Sequence, residues 1–123
     1  MQENIDVSSG EILTLRLSLS DVNIGVSFLD LSDNNLSSLP DDFDRFAKLK
    51  RVFFSNNQFN QLPKVLSKLP ELSMIAFRNN HIEIFEENAL PLSTRWLILT
   101  DNNLKSLPKS IGDLSLLQKC MLS

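Results

Sequence analysis

The amino-acid sequence predicts an α/β solenoid, with stacked coils, a parallel sheet on the concave face and short helical or 3-10 segments on the convex face. Three observations predict it. First, four stretches superimpose: LDLSDNNLSSLP (Leu29–Pro40), VFFSNNQFNQLP (Val52–Pro63), IAFRNNHIEIFE (Ile75–Glu86) and LILTDNNLKSLP (Leu97–Pro108), with starts spaced by 23, 23 and 22 residues. A fixed period of this size marks a repeat architecture. Second, each stretch opens with the alternation of a strand that has one buried face. Third, an asparagine stays in phase in all four, at Asn34, Asn57, Asn80 and Asn102.

Taken in chain order, residues 1–10 are polar and expected to be disordered. Residues 11–25 form a capping strand and turn, because Ile12–Ser20 alternates and puts Leu13, Leu15, Leu17 and Leu19 on one face. Leu17 precedes Leu29 by only 12 residues, about half a repeat, so this first coil is short or pairs differently from the others. Residues 26–123 hold four full repeats and a fifth that reaches only its strand, CMLS at Cys120 to Ser123.

Each unit reads L-x-x-L-x-L-x-x-N-x-L-x-x-L-P. The strand pairs are Leu29/Leu31, Val52/Phe54, Ile75/Phe77, Leu97/Leu99 and Cys120/Leu122, all expected to point into the core. The asparagines stand where the chain must turn away from the strand. An amide both donates and accepts, so a stack of them satisfies buried backbone groups between coils. Leaving such groups unpaired costs about 1–3 kcal/mol each. The asparagines are therefore structural, with no binding role.

The return segments are expected to be single helical or 3-10 turns. Phe43, Phe46 and Leu49 are spaced by three, as are Leu66, Leu69 and Leu72, and Ile111, Leu114 and Leu117. Pro40, Pro63 and Pro108 suit the starts of such turns, where an N–H is not needed. The third repeat departs, with Glu86 in place of proline, one residue fewer, and Pro91 inside the return. Proline opposes a helix interior, so an irregular segment is expected there.

Over Val26 to Ser123 the pattern resembles the leucine-rich-repeat family. The L-P step and the period of about 23 are similar to the cytoplasmic subtype of Ras-suppressor-like and plant intracellular Ras-group repeat proteins. The stretch RWLILTDNNLKSLPKSIGDLSLLQKCML resembles the N-terminal repeats that precede the kinase domain of bacterial and plant repeat kinases. The resemblance implies a right-handed α/β leucine-rich-repeat solenoid that binds protein or peptide partners in signal transduction.

Composition narrows the function classes. The 123 residues suit one domain, and a formal net charge of −3 offers neither a basic footprint for nucleic acid nor a polybasic membrane anchor. No run approaches the ~18 apolar residues of a membrane span. The N-terminus lacks the basic and apolar regions of a secretory signal, and the single cysteine, Cys120, has no partner for an internal disulfide. A cytoplasmic location is expected. The lone histidine, His81, has no second ligand at metal-binding spacing, and Cys120 occupies a core position where a thiol is inert. Three glycines form no phosphate-cradling loop, and the glycine-rich loop, His-Arg-Asp and Asp-Phe-Gly signatures of kinases are missing. No enzymatic activity, metal or cofactor is expected.

The functional surface follows from phase. If Leu97 and Leu99 face the core, their neighbours face outwards. One row across the concave sheet is then Phe28, Arg51, Met74, Trp96 and Lys119; the next is Asp30, Phe53, Ala76, Ile98 and Met121; the third is Ser32, Ser55, Arg78, Thr100 and Ser123. Contiguous apolar patches mark binding surfaces, and aromatic residues and arginine dominate hot spots. The expected partner-binding residues are Phe53, Trp96, Arg51, Met74 and Arg78, flanked by Phe28, Ile98 and Asp30. Two other readings stand beside partner binding: a regulatory or sensor segment of a serine/threonine kinase whose catalytic domain lies outside this chain, and a structural module that self-associates through the edge of its last strand. A solenoid needs a polar cap at each end. The missing fifth turn therefore fits a fragment of a longer protein, a truncated natural product, or an oligomer that hides the edge.

Overall fold

The computed structural model describes residues 3–6 and 26–122. Within them lie six strands: β1 (Glu3–Asp6), β2 (Val26–Asp30), β3 (Arg51–Phe53), β4 (Met74–Ala76), β5 (Trp96–Ile98) and β6 (Lys119–Met121). All pair in parallel and in sequence order, forming one sheet. The register is that of the repeats, with Leu29 opposite Val52, Val52 opposite Ile75, Ile75 opposite Leu97 and Leu97 opposite Cys120.

The alternation has the expected effect. Leu29, Leu31, Val52, Phe54, Ile75, Phe77, Leu97 and Leu99 are wholly buried on the inner face. The ladder continues past the strands, since Leu31, Phe54, Phe77 and Leu99 donate their N–H to the carbonyls of Phe53, Ala76, Ile98 and Met121 at 2.7–2.8 Å. The core between β2 and β4 is built on phenylalanine. Phe54 stacks on Phe77 with ring centres 4.7 Å apart, and Phe59 meets both edge-on at 5.3 and 5.2 Å. Such contacts add about 0.5–1.5 kcal/mol per pair beyond area burial.

The asparagine positions form a ladder through the interior. The Asn57 amide donates to the carbonyls of Leu31 and Phe54 and accepts from the N–H of Leu36 at 2.9 Å. Asn80 repeats this with Phe54, Phe77 and Phe59, and Asn102 with Phe77, Leu99 and Ile82. Each amide thus joins its own repeat to the one before it. A second device lies one residue earlier: Asp33, Asn56, Asn79 and Asp101 all have φ between 57° and 61°. Asparagine and aspartate tolerate this left-handed conformation best among non-glycine residues. Their side chains form an exposed ladder of their own, Asn56 donating to Asp33 at 2.6 Å and Asn79 to Asn56 at 2.8 Å. The paired N-N and D-N steps therefore divide two tasks, one residue turning the chain and the next pinning it.

The return segments are 3-10 turns, η1 (Phe43–Arg45), η2 (Lys64–Lys68) and η3 (Lys109–Asp113), and no α-helix occurs among the described residues. The carbonyls of Pro40, Pro63 and Pro108 accept the first bond of each turn, from the N–H groups of Phe43, Leu66 and Ile111. The third return has no such turn. It bends at Asn88, φ 57°, and buries Ala89, Leu90 and Pro91. Thr94 fills an otherwise apolar position there; it is fully buried, and its hydroxyl donates to the Pro91 carbonyl at 2.7 Å.

Two expectations are corrected. Residues 1–10 are not uniformly without structure, since Glu3–Asp6 pairs with β2, placing Ile5 opposite Leu29. Those partners are 24 residues apart (29 − 5), close to one repeat, whereas the half-length first coil expected from Leu17 lies outside the described residues. The physical reason is that the edge of β2 offers unpaired backbone groups to any extended segment one period earlier. The capping strand expected at Ile12–Ser20 lies outside the described residues. At the other end, Cys120 is only half-buried and Leu122 is exposed, although phase assigned both to the core, and Leu107, the leucine of the fourth L-P step, is exposed as well. Among the described residues no strand packs beyond β6, so these side chains have contacts on one side only.

Candidate functional site

The outward rows assemble in the expected register. Phe28, Arg51, Met74, Trp96 and Lys119 are successive partners across β2 to β6, as are Asp30, Phe53, Ala76, Ile98 and Met121. Neighbouring strands are about 4.8 Å apart, so each row runs about 19 Å across the sheet. All eight candidate residues lie on this one face or its margin.

The face has three parts. At β2 and β3, Phe28 meets Phe53 edge-on with ring centres 5.1 Å apart, and the Arg51 guanidinium lies 5.1 Å from the Phe28 ring centre. At β5 and β6, the Lys119 ammonium lies 5.4 Å from the Trp96 ring centre, and the indole N–H donates to Gln118 at 3.4 Å. Between these clusters the sheet dips. Ala76 is small and buried, while Phe53 and Ile98 stand on either side of it in the same row. The result is an open groove of about 450 Å³ lined by Phe53, Ser55, Met74, Ala76, Arg78, Ile98, Thr100 and Met121. A small residue between large ones makes a depression because the backbone of a sheet is level and only side-chain length varies.

Exposure varies across this face. Trp96 is 39% exposed, and Arg51, Arg78 and Met121 are also exposed, whereas Phe28, Phe53, Met74 and Ile98 are half-buried. Arg78 pairs with Asp101 at 3.7 Å, an exposed contact of little energetic weight. Asp30 accepts the N–H of Ser32 at 3.0 Å, which ties its carboxylate to its own strand. The Thr100 hydroxyl, at the groove wall, is the one buried side-chain oxygen or nitrogen among the described residues that has no partner.

Away from the open face, chemistry is sparse. No group of three His, Cys, Asp or Glu side chains among the described residues is placed to hold a metal. Burial raises the Cys120 thiol above its ordinary range. On the return side, the Glu87 carboxylate accepts the N–H groups of Ser110 at 2.8 Å and Lys109 at 2.9 Å, which hold it below the usual carboxylate range. Glu87 thereby closes the start of η3, and the shortened third return brings it there. No sequence signal marks this role of Glu87, because it depends on which return packs beside which. Among the described residues no helix is long and apolar enough to cross a membrane.

Comparison with known proteins adds a match over part of the chain. The search of curated proteins finds no match. Residues 24–82, covering β2 to β4 and their asparagine turns, match the family model described as leucine rich repeat. The same spacing and register carry on through β5 and β6, beyond the matched stretch. Match and register together support a leucine-rich-repeat protein, a family whose domains generally mediate protein–protein interaction and are typically non-catalytic.

Proposed function

We propose that this chain is a non-catalytic recognition module, a right-handed leucine-rich-repeat solenoid that binds a protein or peptide through the open face of its sheet. One observation carries the reading: two adjacent outward rows present Phe28, Phe53, Met74, Trp96 and Ile98 around an open groove, next to Arg51 and Arg78. Cross-strand contacts alone do not require a depression, and a sheet that served only its own stability would not need an exposed tryptophan. Phe53, Trp96, Arg51, Met74 and Arg78 form the binding centre; Phe28, Ile98 and Asp30 flank it. The lone thiol, with no partner for an internal disulfide, favours a reducing, cytoplasmic setting.

The test is an affinity pulldown with wild type, Trp96→Ala and Arg51→Ala. Truncation of a central aromatic or arginine anchor is expected to weaken capture by about 2 kcal/mol, roughly thirtyfold. Unchanged recovery of the same partners by both variants would rule out the open face.

A second reading rests on a different observation. Leu107, Leu116, Met121 and Leu122 are each 42% exposed beside the edge of β6, which pairs with no further strand among the described residues. An apolar strand edge favours pairing with another chain, so self-association there is the alternative, and sedimentation over a range of concentrations separates it from a monomeric binder.

A further inference from the structure

The charge on the open face runs against that of the chain. The whole sequence carries −3, yet the described side chains of the three outward rows hold Arg51, Arg78 and Lys119 against Asp30 alone, a balance of +2. Among those described side chains the single acid is on β2, and from β3 to β6 the described outward positions carry no carboxylate. Arg78 has Asp101 beside it. Arg51 and Lys119 have no carboxylate partner among the described residues, and each is held instead against an aromatic ring, Phe28 and Trp96 respectively. A ring orients a cation without neutralising it, so both remain available to an anion. They stand in the same row, three strands apart, on either side of Met74, and that row borders the groove along one edge. An apolar depression bordered by two oriented cations is complementary to a ligand that carries both an apolar side chain and carboxylates.

We infer that the open face takes an extended acidic peptide, with an apolar side chain in the groove over Ala76 and flanking carboxylates on Arg51 and Lys119. This rests on the open-face reading above. A peptide crossing from β2 to β6 covers about 19 Å, or roughly six extended residues. A like-charged basic peptide is disfavoured by the same two cations.

The experiment is selection of random displayed peptides of about eight residues, long enough to cross the sheet, on the immobilised full chain. Enriched sequences are expected to place Asp or Glu within a few positions of Leu, Ile, Phe or Trp. One enriched peptide is then titrated against wild type, against Trp96→Ala, and against the double variant Arg51→Glu/Lys119→Glu, whose substitutions are both exposed and spare the core. The double variant is expected to lose about tenfold or more in affinity, and wild-type binding is expected to weaken as salt rises past the ~10 Å screening length of 0.1 M. Enrichment of neutral or basic peptides, or affinity that survives charge reversal, overturns the acidic inference; loss of that binding in Trp96→Ala then leaves the open-face reading standing. No enrichment, or binding untouched by Trp96→Ala, overturns both. A homodimer that covers Trp96 and excludes peptide overturns the inference in favour of a second copy as the occupant.

Discussion

Phe53 and Phe54 are adjacent, chemically identical, and separated by the thickness of the sheet. Phe54 is wholly buried among Phe43, Phe59 and Phe77. Phe53 is half-buried on the other side, edge-on to Phe28 and on the rim of the groove. Residue type does not separate them; phase does. The inner face is continuous, interdigitated and backed by the return segments. The outer face is one side chain deep, with cations resting on its rings and a floor at Ala76. The inner face determines whether the chain folds, and the outer face is free to vary in what it presents.

That contrast predicts a graded series of effects. Phe54→Ala removes a ring that touches three others, and destabilisation of about 3–5 kcal/mol is expected. Trp96→Ala, on the outer face, is expected to change stability by no more than about 0.5 kcal/mol. Denaturant unfolding of both variants checks the pair; equal losses would mean that the two faces are not energetically distinct. Asn80→Ala comes next, at about 1–3 kcal/mol, because it strands the buried N–H of Phe59 and removes one of the two amide donors from each of the carbonyls of Phe54 and Phe77, which Asn57 and Asn102 still reach. Asn80→Asp keeps the shape and the acceptor but loses the donors, so it is expected to be no better in the same measurement.

The smallest effect lies on the return side, at Glu87. Its carboxylate is held below the ordinary 4.5 by the N–H groups of Ser110 and Lys109. A carboxylate with a lowered folded-state value contributes stability above its unfolded value and loses it as pH falls through the folded one. The melting-temperature gap between wild type and Glu87→Gln is therefore expected to be small and constant near neutrality, and to close as pH drops below 4.5. A gap that widens in acid would show that the carboxylate does not act through those two N–H groups.

Much of this was legible in the chain. The period, the strand phase and the asparagine positions set which side chains face in and which face out, and the outward rows come from the same count. The steps that failed were those that depend on neighbours. Cys120, Leu107 and Leu122 obey the pattern, but among the described residues no layer packs on them beyond β6. Ile5, in an otherwise polar start, pairs opposite Leu29; the alternation of Ile5 and Val7 one period before Leu29 and Leu31 was the signal that would have found it.

The sequence by itself determined the repeat, the register and the two faces, because a strand's period of two leaves no freedom once one residue is assigned to the core. Only the tertiary structure decided the groove, the cation–ring pairs and the Glu87 contact. Each of these joins residues some 22 to 23 positions apart, and side-chain length, ring orientation and the path of the shortened third return govern them. A one-dimensional pattern records which residues meet, while the depth over Ala76 and the direction of Arg51 and Lys119 arise only when the coils are laid side by side.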